Sequence, residues 1–421
     1  MSLLIKYLLF FTLFLIAGSF FATKFSYAQD VTPQIASRHI PFIDPQFAQI
    51  ANKLTRYTDL CPKINNPMIS RCLGKMIVDD GSTPFISTKP AGFGPAEFRK
   101  AYGITGDSKK TTVVAIIDAY DQPNILSDLQ IYSSTFNLPQ LTDCTGTIIK
   151  STLPCFKKVD QTGGTNYPST DSGWALEISL DIEAVHAVCD NCSILLVEAK
   201  SASNTDLLKA VDTAVNLGAT IISNSYGSGE AASETQSDSH FNQPGIAIFA
   251  SAGDSGYGVS YPAASRYVIG VGGTKLNLTS TGAYSSESAW SDGGSGCSSY
   301  ETKPSWQHDT GCKKRTVADI AADADPMSGA AVYDSVKYNN KKGWFKIGGT
   351  SLSSPLIAGI FATGDQLSTS QQAGSFFYGL SSNHFHDITK GSNGFCTPSY
   401  LCKATTGYDG PTGLGSPNGE F

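Results

Sequence analysis

From about residue 111 onward the chain alternates short apolar runs with helical patterns, and few folds accept that order. The runs at 112–118, 193–198, 220–224, 246–250 and 267–271 are nearly continuous in Val, Ile, Leu and Ala. Such runs read as strands buried on both faces, the condition of a parallel sheet. Helical periodicity fills the gaps at 172–188, 204–217 and, more weakly, 234–241. The order predicts an α/β fold with one mainly parallel sheet covered by helices on both faces. Functional side chains in such sheets gather at the carboxyl ends of strands and at the helix starts that follow. Residues 29–91 carry Pro41, Pro45, Pro62, Pro67, Pro84 and Pro90 and no strong period. They read as a short propeptide or an N-terminal arm. Residues 281–300, rich in Ser and Gly, read as surface loop.

The helix expected at 172–188 has acids on an unexpected face. Asp171 or Ser172 can cap it. At 3.6 residues per turn, Trp174, Glu177, Ile178, Asp181, Ala184, Val185 and Val188 share one stripe. Ser179, Glu183 and His186 fall opposite, and a solvated face suits Glu183. Glu177 and Asp181 lie one turn apart inside the apolar stripe. Burying carboxylates is costly unless they are hydrogen-bonded or protonated, and two close acids push at least one pKa upward. The pair therefore reads as a base-competent site, with a purely structural pair as the alternative.

The stretch 347–361 is the second informative one. Gly348 and Gly349 allow a tight turn and close backbone approach. Pro355 is expected in the first turn of the helix that follows. That places Ser351 at a helix N-terminus, where backbone N–H groups favour negative charge. The same position also suits an ordinary N-cap serine.

The longer pattern G-T-S-x-S-x-P, at Gly349 to Pro355, resembles the nucleophile segment of subtilisin-fold peptidases. Subtilisins take their base from a histidine segment of the H-G-T-H type. None of His39, His186, His240, His308, His384 and His386 lies in that context. With Glu177-x-x-x-Asp181 in its place, the chain resembles the sedolisins, the serine-carboxyl peptidases, over about residues 92–421. The stretch from Gly92 to Gly103 looks like the start of that family's mature domain.

The resemblance implies a subtilisin-like fold, a single large catalytic domain and serine-type endopeptidase activity. Ser351 would be the nucleophile, Glu177 the acid/base and Asp181 its partner. Ser251-Ala252-Gly253-Asp254 resembles the segment bearing the oxyanion-hole aspartate, which serves only when protonated. Asp118 stands where the family typically has a glutamate supporting the catalytic one, and also where subtilisins carry the catalytic aspartate; its role stays open, with a supporting place beside Glu177 as one reading. The C-terminal stretches around 387 and 409 resemble a calcium loop. One structural Ca2+ would take Asp387 and Asp409 by side chain, and Ile388, Thr405 and Gly407 by carbonyl. The family usually carries a large folded prodomain, longer than residues 29–91. The reading from another class is a catalytically inactive secreted binding protein on the same scaffold.

Composition limits the partners. A net charge of -6, with 30 basic residues and no Lys/Arg block, argues against nucleic acid as a partner, because phosphate binding needs clustered positive charge. Lys6, the apolar run at 7–21 and Ser26-Tyr27-Ala28 read as a signal peptide cleaved after Ala28. The expected product is secreted, extracellular or periplasmic in a double-membrane bacterium. It should be monomeric, with no membrane partner after cleavage and with protein or peptide substrates. Ten cysteines lie as near neighbours, which in an exported chain favours disulfides closing short loops.

Overall fold

The computed structural model describes residues 56–79, 82–106, 112–150, 154–364 and 367–421. The expected signal peptide lies outside them. The arm that reads as periodless contributes four short strands, β1 (Arg56–Asp59), β2 (Arg71–Cys72), β3 (Lys75–Val78) and β4 (Ile86–Ser87). Their shortness explains the missing signal: two to four residues cannot display a period.

The main sheet begins with β5 (Val113–Ala119), followed by β6 (Phe156–Asp160), β7 (Ser193–Ala199) and β8 (Ile221–Asn224). After the outlying strand β9 (Tyr226–Gly229) come β10 (Ala247–Ser251), the short β11 (Ser260–Tyr261), β12 (Ile269–Leu278) and β13 (Tyr284–Ala289). Spatial order is β13-β12-β10-β8-β5-β7-β6. Neighbours run parallel except at the β12–β13 edge. The expected strands are thus present within one or two residues of their bounds. The chain leaves β5 toward β7 and β6, then returns to add β8, β10 and β12 on the other side. The carboxyl ends of β5 and β8 therefore flank a switch point, the place where such sheets hold their chemistry. Asp118 is the penultimate residue of β5, Asn224 ends β8 and Ser251 ends β10.

Residues 281–300 are not surface loop. They supply β13 and the start of β14 (Gly296–Thr302), which pairs with β15 (Lys314–Val317). Ser285, Ser286 and Ser299 are exposed on these strands, whereas Ser295 and Ser298 are buried, so the serines mark edge strands rather than a loop. β16 (Ile320–Asp323) then joins β12 in parallel.

Four longer helices precede the serine segment among the described residues: α1 (Pro95–Ala101), α2 (Ile125–Phe136), α3 (Ser172–Val188) and α4 (Asn204–Asn216). Of the two possible caps of α3, Asp171 serves, accepting from the Gly173 and Trp174 N–H groups at 3.0 and 3.1 Å. The weaker pattern at 234–241 resolves into a 3-10 turn and a single α-turn, Asp238–Phe241.

A second sheet, β1-β3-β18-β17, is built from the arm and from β17 (Ala330–Tyr338) and β18 (Lys341–Gly348), with β4 also on β18. β17 packs over the side of α3 away from the main sheet. This overturns the solvated face expected for Glu183. Every residue from Gly173 to Val188 is buried, Glu183 and His186 included. Glu183 Oε2 accepts the Tyr333 N–H of β17 at 2.9 Å, and His186 Nε2 meets the Pro139 carbonyl at 3.0 Å. The apolar stripe marks the face turned to the larger sheet and carries no sign of a second sheet arriving from 150 residues downstream.

Five disulfides join the near-neighbour pairs Cys61–Cys72, Cys144–Cys155, Cys189–Cys192, Cys297–Cys312 and Cys396–Cys402. No described helix is long and apolar enough to cross a membrane.

Candidate active site

The helix α5 (Thr350–Thr363) starts at Gly349, whose φ of 96° an L side chain would resist. A Cβ there would also overlap the Leu73 carbonyl oxygen and come within 2.6 Å of Asp254 Oδ2. Ser351 is the second residue of α5, not its cap. Pro355 sits deeper than the first turn and removes the N–H that would reach the Ser351 carbonyl. The Ser225 hydroxyl takes over, donating to that carbonyl at 3.3 Å. The Ser351 hydroxyl in turn donates to the Ser225 carbonyl at 3.2 Å. The proline thus frees an acceptor that ties the serine turn to the end of β8.

Glu177, Asp181 and Asp118 are fully buried together behind Ser351. None of their six carboxyl oxygens has a hydrogen-bond partner of good geometry. Burial is the main cause that pushes all three pKa values well up. Mutual repulsion adds to it: Asp181 raises Glu177, Asp118 raises Asp181, and Glu177 raises Asp118. The Ser351 hydroxyl and the Gly74 N–H face Glu177 and partly offset its rise, as the Ser225 hydroxyl does for Asp181. Full burial and mutual repulsion thus favour the protonated form of each acid and disfavour ionising all three together.

Asp254, 2% exposed, follows β10 through Gly253. Its Oδ1 accepts the Thr350 N–H at 2.9 Å and the Thr350 hydroxyl at 2.7 Å. Its Oδ2 is buried without a partner. Burial raises its pKa to about 6, with Lys75 holding it back most, ahead of Thr350 and Arg71.

The sequence and the fold resemble those of known proteins. The sequence matches the subtilase family over residues 144–371. Sedolisin from Pseudomonas sp. (strain 101) is 31% identical over 371 residues, 77% of this chain and 60% of that one. Kumamolisin from Bacillus sp. (strain MN-32) is 30% identical over 377 residues, 79% of this chain and 63% of that one. A solved structure of Pseudomonas sedolisin, a serine-carboxyl proteinase complexed with two molecules of pseudo-iodotyrostatin, covers 79% of this chain and 96% of its own. It superposes with a TM-score of 0.66 at 31% identity. The chain belongs to the sedolisin family. It spans about three fifths of the length of the two curated relatives.

Within this sedolisin-family fold, Glu177, Asp181, Asp254 and Ser351 do converge, and Asp118 joins them. Among the described residues, the Ser351 hydroxyl makes no hydrogen bond to a histidine. His186 is turned to Pro139, and burial lowers its pKa to about 4. His240 meets Asp212 at 2.8 Å. Ser225 and Thr350 are site residues that motif reading passed over. Ser225 directly follows an apolar run, so the rule of strand carboxyl ends was signal enough to find it.

The C-terminal loop brings two acids toward each other. Both Asp387 oxygens accept the Gly407 N–H, at 3.2 and 3.1 Å. Asp409 is buried; its Oδ2 accepts the Thr405 N–H at 2.8 Å, and its Oδ1 accepts from the Thr412 N–H and hydroxyl. Burial, with Asp387 as a lesser contributor, raises Asp409 to about 7. Among the described residues no group of three or more His, Cys, Asp or Glu could hold a metal. The two carboxylates offer oxygen donors only, which suits a hard cation and no soft one.

Proposed function

We propose that this chain is a secreted endopeptidase acting at acid pH through a Ser351 acyl-enzyme. The observation that supports it best is the Ser351 hydroxyl facing the buried, protonation-prone Glu177, with the unpartnered Asp254 Oδ2 nearby. Ser351 Oγ attacks the scissile carbonyl carbon and its proton passes to Glu177. Asp181 shares that proton and tunes Glu177. Protonated Asp254 and the Ser351 N–H, which has no intrahelical acceptor at this position, face the developing oxyanion. Glu177 then protonates the departing amine, and water discharges the acyl-enzyme by the reverse steps. Asp118 is assigned the task of keeping the Glu177–Asp181 pair protonated through repulsion. Asp387, Asp409 and the carbonyls of Ile388, Thr405 and Gly407 would hold one structural Ca2+, which neutralises the two acids and pins the loop.

Secretion is supported by the five disulfides, which persist in oxidising compartments. The mature chain is proposed to act as a monomer on protein or peptide substrates, without nucleic-acid or membrane partners. The test is cleavage of a denatured protein across acid to neutral pH by wild type, Ser351→Ala and Glu177→Gln. Activity confined to wild type and to acid supports the reading. Equal activity in all three, or an optimum above neutrality, sinks it.

A further inference from the structure

The peptide cleft of this site is filled by the chain itself. β2 pairs antiparallel with β9 in the register Arg71↔Gly227 and Cys72↔Tyr226. The ladder continues with the Leu73 N–H, which donates to the Ser225 carbonyl at 3.2 Å. That carbonyl is the one that also accepts the Ser351 hydroxyl, at the same distance. One shared acceptor thus brings the nucleophile alongside the residue bearing the Leu73 carbonyl.

Both ends of the next peptide bond meet the reacting groups. The Leu73 carbonyl oxygen lies against Gly349, beside the Asp254 Oδ2 that has no other partner. On the far side, Glu177 Oε2 lies against Gly74 so closely that a Cβ there would overlap it. The Gly74 N–H points to the same carboxyl. So the carbonyl faces the oxyanion donor and the amide nitrogen faces the acid, as a bond about to be cut requires. The Leu73 side chain is 3% exposed, and a Cβ on Gly227 would come within 3.3 Å of its Cδ1. The absent Gly227 side chain makes that room.

The segment is held in place from several sides. Cys72 is stapled to Cys61. The Leu60 N–H donates to the Gly74 carbonyl at 2.9 Å, and the Tyr338 hydroxyl donates to the Leu60 carbonyl at 3.1 Å. Asp59 pairs with Lys75 at 2.6 Å and with Arg71 at 3.5 Å. Such bracing lowers the entropic cost of presenting one bond to the nucleophile.

We propose that Leu73–Gly74 is an intramolecular substrate of the Ser351 centre, cut in cis to leave Gly74 as the new amino terminus. The proposal rests on the peptidase reading above. Ser351 Oγ bonds to the Leu73 carbonyl carbon, and its proton moves to Glu177. The Leu73–Gly74 C–N bond breaks as Glu177 returns a proton to the Gly74 nitrogen. Solvent water then releases Leu73 as a carboxylate and restores Ser351. Cys61 and Cys72 both lie before the cut, so no disulfide spans it. Among the described residues the released piece is then retained without a covalent link, by the β1–β3 and β2–β9 ladders, by main-chain bonds from Ser70 to Ala202, Asn204 to Met68 and Leu60 to Gly74, and by side-chain contacts. The boundary differs from the Gly92 start that the family resemblance suggests. β3 and β4 stay with the body as partners of β18.

The test purifies the full chain at neutral pH, shifts it to acid, and follows intact mass and N-terminal sequence at several protein concentrations. Digestion of a denatured protein by the same samples is scored alongside. The expected result is a first-order cut, independent of concentration, giving a chain that begins Gly74-Lys75-Met76. Ser351→Ala should stay whole. Leu73→Asp places an acid in a buried apolar slot next to Asp254; it should keep the bond, slow the cut at least about tenfold, and leave the cleft open to added protein. A cut elsewhere first, a rate rising with protein concentration, or an unbroken Leu73–Gly74 bond in wild type while Leu73→Asp digests added protein overturns the proposal and leaves the peptidase reading standing. If neither wild type nor Leu73→Asp digests anything, the peptidase reading itself falls.

Discussion

Two regions of the molecule bring acids together and resolve the repulsion by opposite means. At the head of the cleft, Glu177, Asp181 and Asp118 sit in a pocket that offers their oxygens almost no donors. In the C-terminal loop, Asp387 and Asp409 accept three main-chain N–H groups and a threonine hydroxyl. The first set can be relieved only by taking up protons. The second is already partly solvated by amides, so a bound cation, as well as a proton on the raised Asp409, could relieve it. Undonated acids are a reservoir of exchangeable protons, which is what acid/base chemistry needs. Amide-bound acids are a fixed negative seat, which is what a metal needs.

Breaking the first region should abolish turnover. Ser351→Ala is expected to lower kcat/KM by at least about 10⁴-fold, and Glu177→Gln, which keeps shape but not proton transfer, by about 10²–10⁴-fold. Both are read with a peptide substrate under acid conditions; loss of binding without loss of kcat would contradict the roles. Asp254 sits between the two types, with one oxygen bonded and one bare. Asp254→Ala should cost about 10²–10³ in kcat. Wild-type activity should fall as pH rises through about 6, because ionised Asp254 repels the oxyanion. Asp254→Asn retains an N–H donor that does not titrate, so its alkaline limb should move upward. An unmoved limb would take Asp254 out of the mechanism.

The first region was the more legible in sequence, for a physical reason. Glu177 and Asp181 announce themselves because a single helix of period 3.6 sets their face, and that period is local. Ser351 needed the longer G-T-S-x-S-x-P pattern, since one serine near a helix start is also a common cap. Strand order was readable only as alternation; the switch point beside Asp118 emerges from pairing across 100 residues or more. What could not be read was anything made by a second partner. Glu183 looked solvated until β17 covered it, and 281–300 looked like loop because edge strands tolerate serine. The arm strands β2 and β3 owe their conformation to β9 and β18, so their own residues carry little pattern.

pH should act on stability in the same direction through Asp254, through Asp409 of the loop and through two buried carboxyls outside both regions, Glu198 on β7 and Asp334 on β17. Burial raises Glu198 and Asp334 to about 8 and Asp254 to about 6, against unfolded carboxylates near about 4. For a raised carboxyl the folded state binds the extra proton, so its contribution is complete below the unfolded pKa and is lost as pH rises through the folded one. Melting temperature should therefore fall from about pH 4 to about pH 8. His186 works the other way: lowered to about 4, it adds stability above about 6.5 that is lost on acidification through 4. A flat or rising profile between acid and neutral would contradict protonated burial. In the loop, Asp409→Ala strands the Thr405 and Thr412 donors and should cost about 1–3 kcal/mol by urea unfolding. A calcium chelator should lower the melting temperature of wild type and have no effect on Asp409→Ala.

The smallest effect is the one that separates burial from function. Glu183 shares α3 with Glu177, is equally buried, and has its pKa pushed well up by the same main cause. It differs in lying on the β17 side, with one oxygen on the Tyr333 N–H and no nucleophile in reach. Held protonated there, it already resembles an amide. Glu183→Gln is then nearly isosteric with the native state in acid and should change stability by less than about 1 kcal/mol, with kcat and KM unchanged. Glu177→Gln makes the same chemical change two turns earlier, on the face turned to Ser351, and should silence the site. Matched kinetic losses in the two variants would mean that a buried acid anywhere on α3 matters through packing alone. A loss confined to Glu177→Gln would show that position against the serine, not burial, gives the carboxyl its work.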